Sequence, residues 1–173
     1  MYLLFCAGYI GILFFMQLLV GNAGLYLPFC AFGIFYLSVA DSWRKAIFVA
    51  LVAGTAIDSL YSRNVIITPF ALCAIALYGQ FWIRHYNSKH LVESIIPGIL
   101  IPNALLIPLW LHRFYSTGFS LYQIKSALSM FIFTCAFGAA FLPLLIVTLD
   151  SIADLLRMSK YSDAKKQLLE SRR

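Results

Sequence analysis

Few side chains in this 173-residue chain are placed to do chemistry. The three histidines, His85, His90 and His112, lie at the ends of apolar runs and none lies within one. A buried nucleophile needs a base at its own depth, so these residues offer no hydrolytic pair. HExxH, GxSxG and a phosphate-cradling glycine loop are missing from the sequence. His85 and His90 stand five apart, poor spacing for two metal ligands on one helical face. Cys6, Cys30, Cys73 and Cys135 each fall inside an apolar run without CxxC spacing, and are expected to pack rather than to bridge or bind metal. One ionisable residue stands apart: Asp58 is the only acid inside an apolar run. An aspartate at mid-bilayer costs about 2.5–3.5 kcal/mol, and less near an interface. Two readings of it stay open: a polar site facing the bundle interior or a partner, or an interfacial carboxylate that reaches head-group water or pairs with Arg63. Neither reading implies catalysis, and no cofactor or metal is expected.

The composition says what must position these residues. Hydrophobic residues make up 62% of the chain and charged residues 12%, with a mean hydropathy of +0.85. Soluble domains run near 45–50% apolar and about 25% charged. A chain this apolar cannot cover a water-facing surface, and it is equally unlike a disordered one. Unbroken apolar runs also argue against a transmembrane barrel. The expectation is an all-α membrane protein. Its net charge of +6 is then read as topology and attraction to lipid head groups, not as a nucleic-acid site.

At roughly 20 residues per 30 Å of hydrocarbon, six spans fit, at about 2–20, 25–40, 46–60, 65–83, 91–111 and 122–149. The first lacks a basic leader and is read as a span, not a signal peptide. Arg44, Lys45, Arg84, Lys89 and six basic residues after position 149 share one side, ten in all. Arg63, Arg113 and Lys125 lie on the other. The excess predicts both termini in the cytoplasm. Asp58 then sits within a turn of the outer end of its span, where Arg63, His112 and Arg113 are the other polar candidates.

Pro97, Pro102 and Pro108 predict a kinked or locally unwound fifth helix, with Asn103 beside the carbonyls they free. Gln17, Asn22, Gln80 and Asn103 are expected to hydrogen-bond between helices. Gly54, one turn before Asp58, and Gly138 with Ala139 and Ala140 mark faces where another helix can come close, in a partner or in the same chain. Ile152, Leu155 and Leu156, then Leu168 and Leu169, predict that residues 150–173 continue as an amphipathic, basic cytoplasmic tail on the membrane surface.

The stretch from Phe48 to Leu60, with Gly54 four residues before Asp58 at the end of a span, resembles the segment that marks the rod shape-determining protein MreD family. Ser62 in the following turn, then Ala71, Leu72 and Tyr78, are similar to that family's next span. Leu27-Pro28, the run Tyr36-Leu37-Ser38-Val39 and Gln17 late in the first span also look like it. Glycines usual after the aspartate in that family are replaced here, with Ser62 and Ile66 standing roughly there. The resemblance implies a non-enzymatic inner-membrane scaffold of bacterial cell elongation. Such a protein would bind the bitopic protein MreC and, indirectly, MreB, RodA and penicillin-binding protein 2, in support of peptidoglycan synthesis and cell shape. That family's bundle is also similar to the vitamin-binding S components of energy-coupling-factor transporters. The second expectation is therefore a small-molecule transporter subunit, which would need a polar pocket open to the outside.

Overall fold

The computed structural model describes residues 2–22, 26–61, 66–85, 91–118, 120–156 and 160–164. The described residues form helices and turns, with no strand among them. Six α-helices follow one another: α1 (Tyr2–Asn22), α2 (Phe29–Ala40), α3 (Trp43–Leu60), α4 (Thr68–His85), α5 (Ile95–Thr117) and α6 (Leu121–Leu155). A single 3-10 turn, Leu91–Ser94, leads into α5. Each helix grows from one of the six apolar runs. The last two are longer than the runs suggested, α5 reaching Thr117 and α6 reaching Leu155.

The arrangement turns on α2. All twelve of its residues are buried, although at 1.5 Å per residue it is only about 18 Å long. A helix apolar on every side belongs at the centre of a bundle, and α1, α3, α4 and α5 all pack on it. Phe32, Phe35, Ile34 and Leu37 fill the middle. Phe29 forms T-shaped ring pairs with Phe137 and Phe141.

Around this centre, α1, α3, α4, α5 and α6 turn apolar side chains outward. Ile12 and Phe15, Phe48 and Val52, Phe70 and Leu77, Ile107 and Leu111, Leu128 and Leu144 are all exposed. Among the described residues two helices, α5 over Ile95–Ser116 and α6 over Leu121–Leu155, are long and apolar enough to cross a membrane. The stretches Gly8–Asn22 and Phe29–Ala40 are apolar but shorter.

The predicted unwinding of the fifth helix is not found. Helix α5 is continuous through Pro102 and Pro108. Pro97 falls in its first turn, where a missing N–H leaves no bond unmade. Asn103 does serve the local backbone, donating from Nδ2 to the Ile99 carbonyl at 3.0 Å. Close approach of α6 steadies this helix. Gly98 and Gly138 face each other, and a Cβ on either would strike the other's carbonyl oxygen. Helix α5 ends at Gly118 with φ of 79°, and Ser120 then caps α6 by accepting from the Gln123 N–H at 3.2 Å.

Candidate functional site

A helix end buried in an apolar bundle leaves backbone donors or acceptors that water cannot reach. Long polar side chains from neighbouring helices meet that need here. Gln17 of α1 accepts from the Cys30 N–H at 3.0 Å, serving the first turn of α2. Gln80 of α4 donates to the Ser38 carbonyl at 2.8 Å, serving the last turn of α2. The Ser38 hydroxyl in turn donates to the Ala76 carbonyl. The central helix is thus held at both ends by glutamines, as a short buried helix requires.

Asp58 does the same for α4 with a carboxyl group. It is 3% exposed. Its Oδ2 accepts from the Ile67 N–H at 3.1 Å and the Thr68 N–H at 3.0 Å, and its Oδ1 takes the Thr68 hydroxyl. Thr68 opens α4 and Pro69, the next residue, has no N–H to offer. The carboxylate therefore collects backbone donors of the helix start, where the helix dipole also favours negative charge. Gly54, one turn earlier in α3, is what lets the two helices come so close. A Cβ there would overlap the backbone of Pro69. Gly54 and Asp58 act as one device that seats the start of α4 on α3.

The opposite end of α4 holds a second carboxylate with the same habit. Trp82 lies fourteen residues beyond Thr68, about 21 Å along the helix, and its Nε1–H donates to the Tyr161 hydroxyl at 2.9 Å. Tyr161 is 2% exposed. Its N–H donates to Asp150 Oδ1 at 2.8 Å, and the Ser162 N–H donates to Oδ2 at 3.1 Å. The Tyr36 hydroxyl completes the set, donating to Oδ1 at 2.8 Å. The rings of Tyr36 and Tyr161 stack at 6.4 Å between centroids. Burial pushes the Tyr161 phenol well above its ordinary value, and nearby Glu93 and Asp150 add to the rise while the Trp82 N–H opposes it. Just outside, Lys160 pairs with Asp154, whose accepting carboxylate raises the lysine.

The other sequence candidates fall elsewhere. Gly138 is buried against Gly98, Pro102 and Phe32 of its own chain, and Ala139 is half-buried beside it. His112 and Arg113 are exposed near the end of α5, with the Arg113 guanidinium 5.0 Å from the centre of the Trp110 ring. They do not converge with Asp58, whose oxygens are turned into the α3–α4 junction. Arg63, Lys89, His90 and residues 165–173, including Leu168 and Leu169, lie outside the described residues.

The Asp150 junction was missed in the sequence. Residues 150–173 read there as a tail apart from the bundle, yet Tyr161 and Ala164 are buried in its core. The available signal was a tyrosine a short way past the polar end of the last helix. Compared with known protein families, with curated proteins and with solved structures, the chain matches none.

Proposed function

We propose that this chain is a six-span membrane bundle with both termini in the cytoplasm, acting as a non-enzymatic scaffold in the bacterial inner membrane. The role is the one its MreD-like segment implies: pairing with a bitopic MreC-type protein, and through it serving MreB, RodA and penicillin-binding protein 2 in cell elongation. One observation carries the scaffold reading. Apolar side chains face outward on five helices, while Gln17, Gln80, Asp58 and Asp150 are spent on backbone groups of the chain's own helix ends and turns. Such a body offers helix faces to other membrane proteins.

Co-expression with a tagged MreC-type protein in bacterial membranes tests the reading. The expected result is recovery of this chain from mild detergent in fixed ratio to the tagged partner. Membrane-impermeant thiol labelling of single cysteines should reach Asn64→Cys from outside the cell and Ser88→Cys only after the membrane is opened. Failure of the partner to recover the chain, or a small molecule retained through purification in its place, overturns the scaffold. The reverse labelling pattern overturns the topology.

A further inference from the structure

The end of α4 and the start of α3 enclose an open cleft of about 340 Å³, lined by Trp43, Leu77, Gln80, Phe81, Arg84 and His85. We propose that this cleft binds the phosphate of an anionic phospholipid headgroup and lays one acyl chain along Leu77 and Phe81; the inference rests on the membrane reading above. Three features argue for a lipid. The Arg84 guanidinium is exposed and makes no hydrogen bond or ion pair among the described residues. A second guanidinium, that of Arg44, lies 5.6 Å from the centre of the ring of Trp43, a residue that lines the cleft. Asp41, the acid closest in sequence, is already held by Lys45 at 2.9 Å, so it does not cancel the arginines.

The histidine is oriented as well. His85 stacks on Phe81 with centroids 4.0 Å apart, and its Nδ1 lies 2.9 Å from the Phe81 carbonyl. With Nδ1–H donating there, Nε2 is the nitrogen left for a ligand. Below the charged rim the wall turns apolar. Leu77 and Phe81 are each 52% exposed, and Phe70 continues the same stripe along α4. A tryptophan at the rim, cations above and an apolar track beneath match the layers of a lipid from glycerol to tail. A free phosphate would have no use for the track.

Tryptophan quenching tests this in the full-length protein. Trp43 is 39% exposed, whereas Trp82 and Trp110 are buried. The protein is reconstituted into phosphatidylcholine vesicles containing either phosphatidylglycerol or phosphatidylcholine brominated on the acyl chains. Brominated phosphatidylglycerol should quench with severalfold higher apparent affinity. Arg84→Gln should lower that preference by about fivefold, the share of one basic residue near the surface, and Arg44→Gln should lower it in the same direction. Trp43→Phe should remove the difference in signal. Replacing chloride with inorganic phosphate at equal ionic strength should leave the preference in place; its loss would assign the cleft to a free anion. Equal quenching by the two lipids, or a preference untouched by Arg84→Gln, overturns the inference. A protein that will not enter vesicles overturns the membrane reading itself.

Discussion

Asp58 and Asp150 perform the same act at opposite ends of α4. Each takes two consecutive backbone N–H groups and one hydroxyl. What differs is where the donors come from. Those of Asp58 lie nine and ten residues along the chain, across a single helical hairpin, and the Gly54–Pro69 approach clamps the same junction. Those of Asp150 come from a turn 11 and 12 residues onward and from Tyr36, 114 residues away. The first carboxylate is almost wholly buried and the second half-buried. One arrangement therefore closes a hairpin in the body of the bundle, and the other fastens an appended turn to it. The chemistry is shared. The consequence of losing it is not.

Asp58→Ala is the harsher break. It strands two backbone donors and a hydroxyl, of which the buried N–H and hydroxyl of Thr68 are closed to solvent, and hydrogen bonds to a charged group are worth about 1.5–3 kcal/mol. A loss of about 3 kcal/mol is expected in unfolding of the purified protein from mixed micelles, with all helices losing signal together. A loss no greater than that of Asp150→Ala would erase the distinction between the two ends. Any fall in partner recovery for this variant should scale with the loss of folded protein.

The two ends also differ in how far the sequence announced them. Six apolar runs separated by polar turns were enough to place the helices, because long apolar runs bounded by polar residues read as helices. Asp58 was conspicuous as a lone acid among apolar neighbours, and Gly54 four residues before it lay on the same face. What faces it came only with the fold, since the N–H groups of Ile67 and Thr68 meet its carboxylate where α3 and α4 pack together. Asp150 carried no such signal, since an acid where a span meets polar residues looks ordinary. The helical spacing of Ile152, Leu155 and Leu156 does continue α6 as far as Leu155, with all three exposed, while Tyr161 is buried against Tyr36 and Phe35. That contact pairs residues remote in sequence, which no local periodicity encodes.

Asp150→Ala should produce a smaller and local loss. About 1–2 kcal/mol is expected, because the site is half-buried and water can reach some of the stranded donors. Hydrogen exchange reads this residue by residue. The amides of Tyr161 and Ser162 should exchange about tenfold faster or more, at 1.4 kcal/mol per factor of ten, while amides in the middle of α2 and α4 keep their protection. Equal acceleration throughout the bundle would mean that the turn is part of the cooperative core and that both carboxylates close the body of the protein.

Tyr161→Phe gives the mildest test and separates the turn's hydrogen bond from its packing. The phenylalanine keeps the ring against Tyr36 and Phe35 but loses the bond from Trp82, for a cost of about 1 kcal/mol. The sign of the pH effect follows from the raised phenol. The folded protein holds the proton more tightly than the unfolded chain, so this contribution is complete below the ordinary phenol value of 10.0. Above it the unfolded chain ionises first, and the native protein loses up to about 1.4 kcal/mol per pH unit until the folded phenol ionises too. Tyr161→Phe carries no such group. Its stability relative to the native protein should therefore be constant from neutral pH to about 10, then rise until the two curves meet or cross. A constant offset through that range would show that the phenol is solvated in the folded protein, and that the Asp150 end is held without the bond from Trp82.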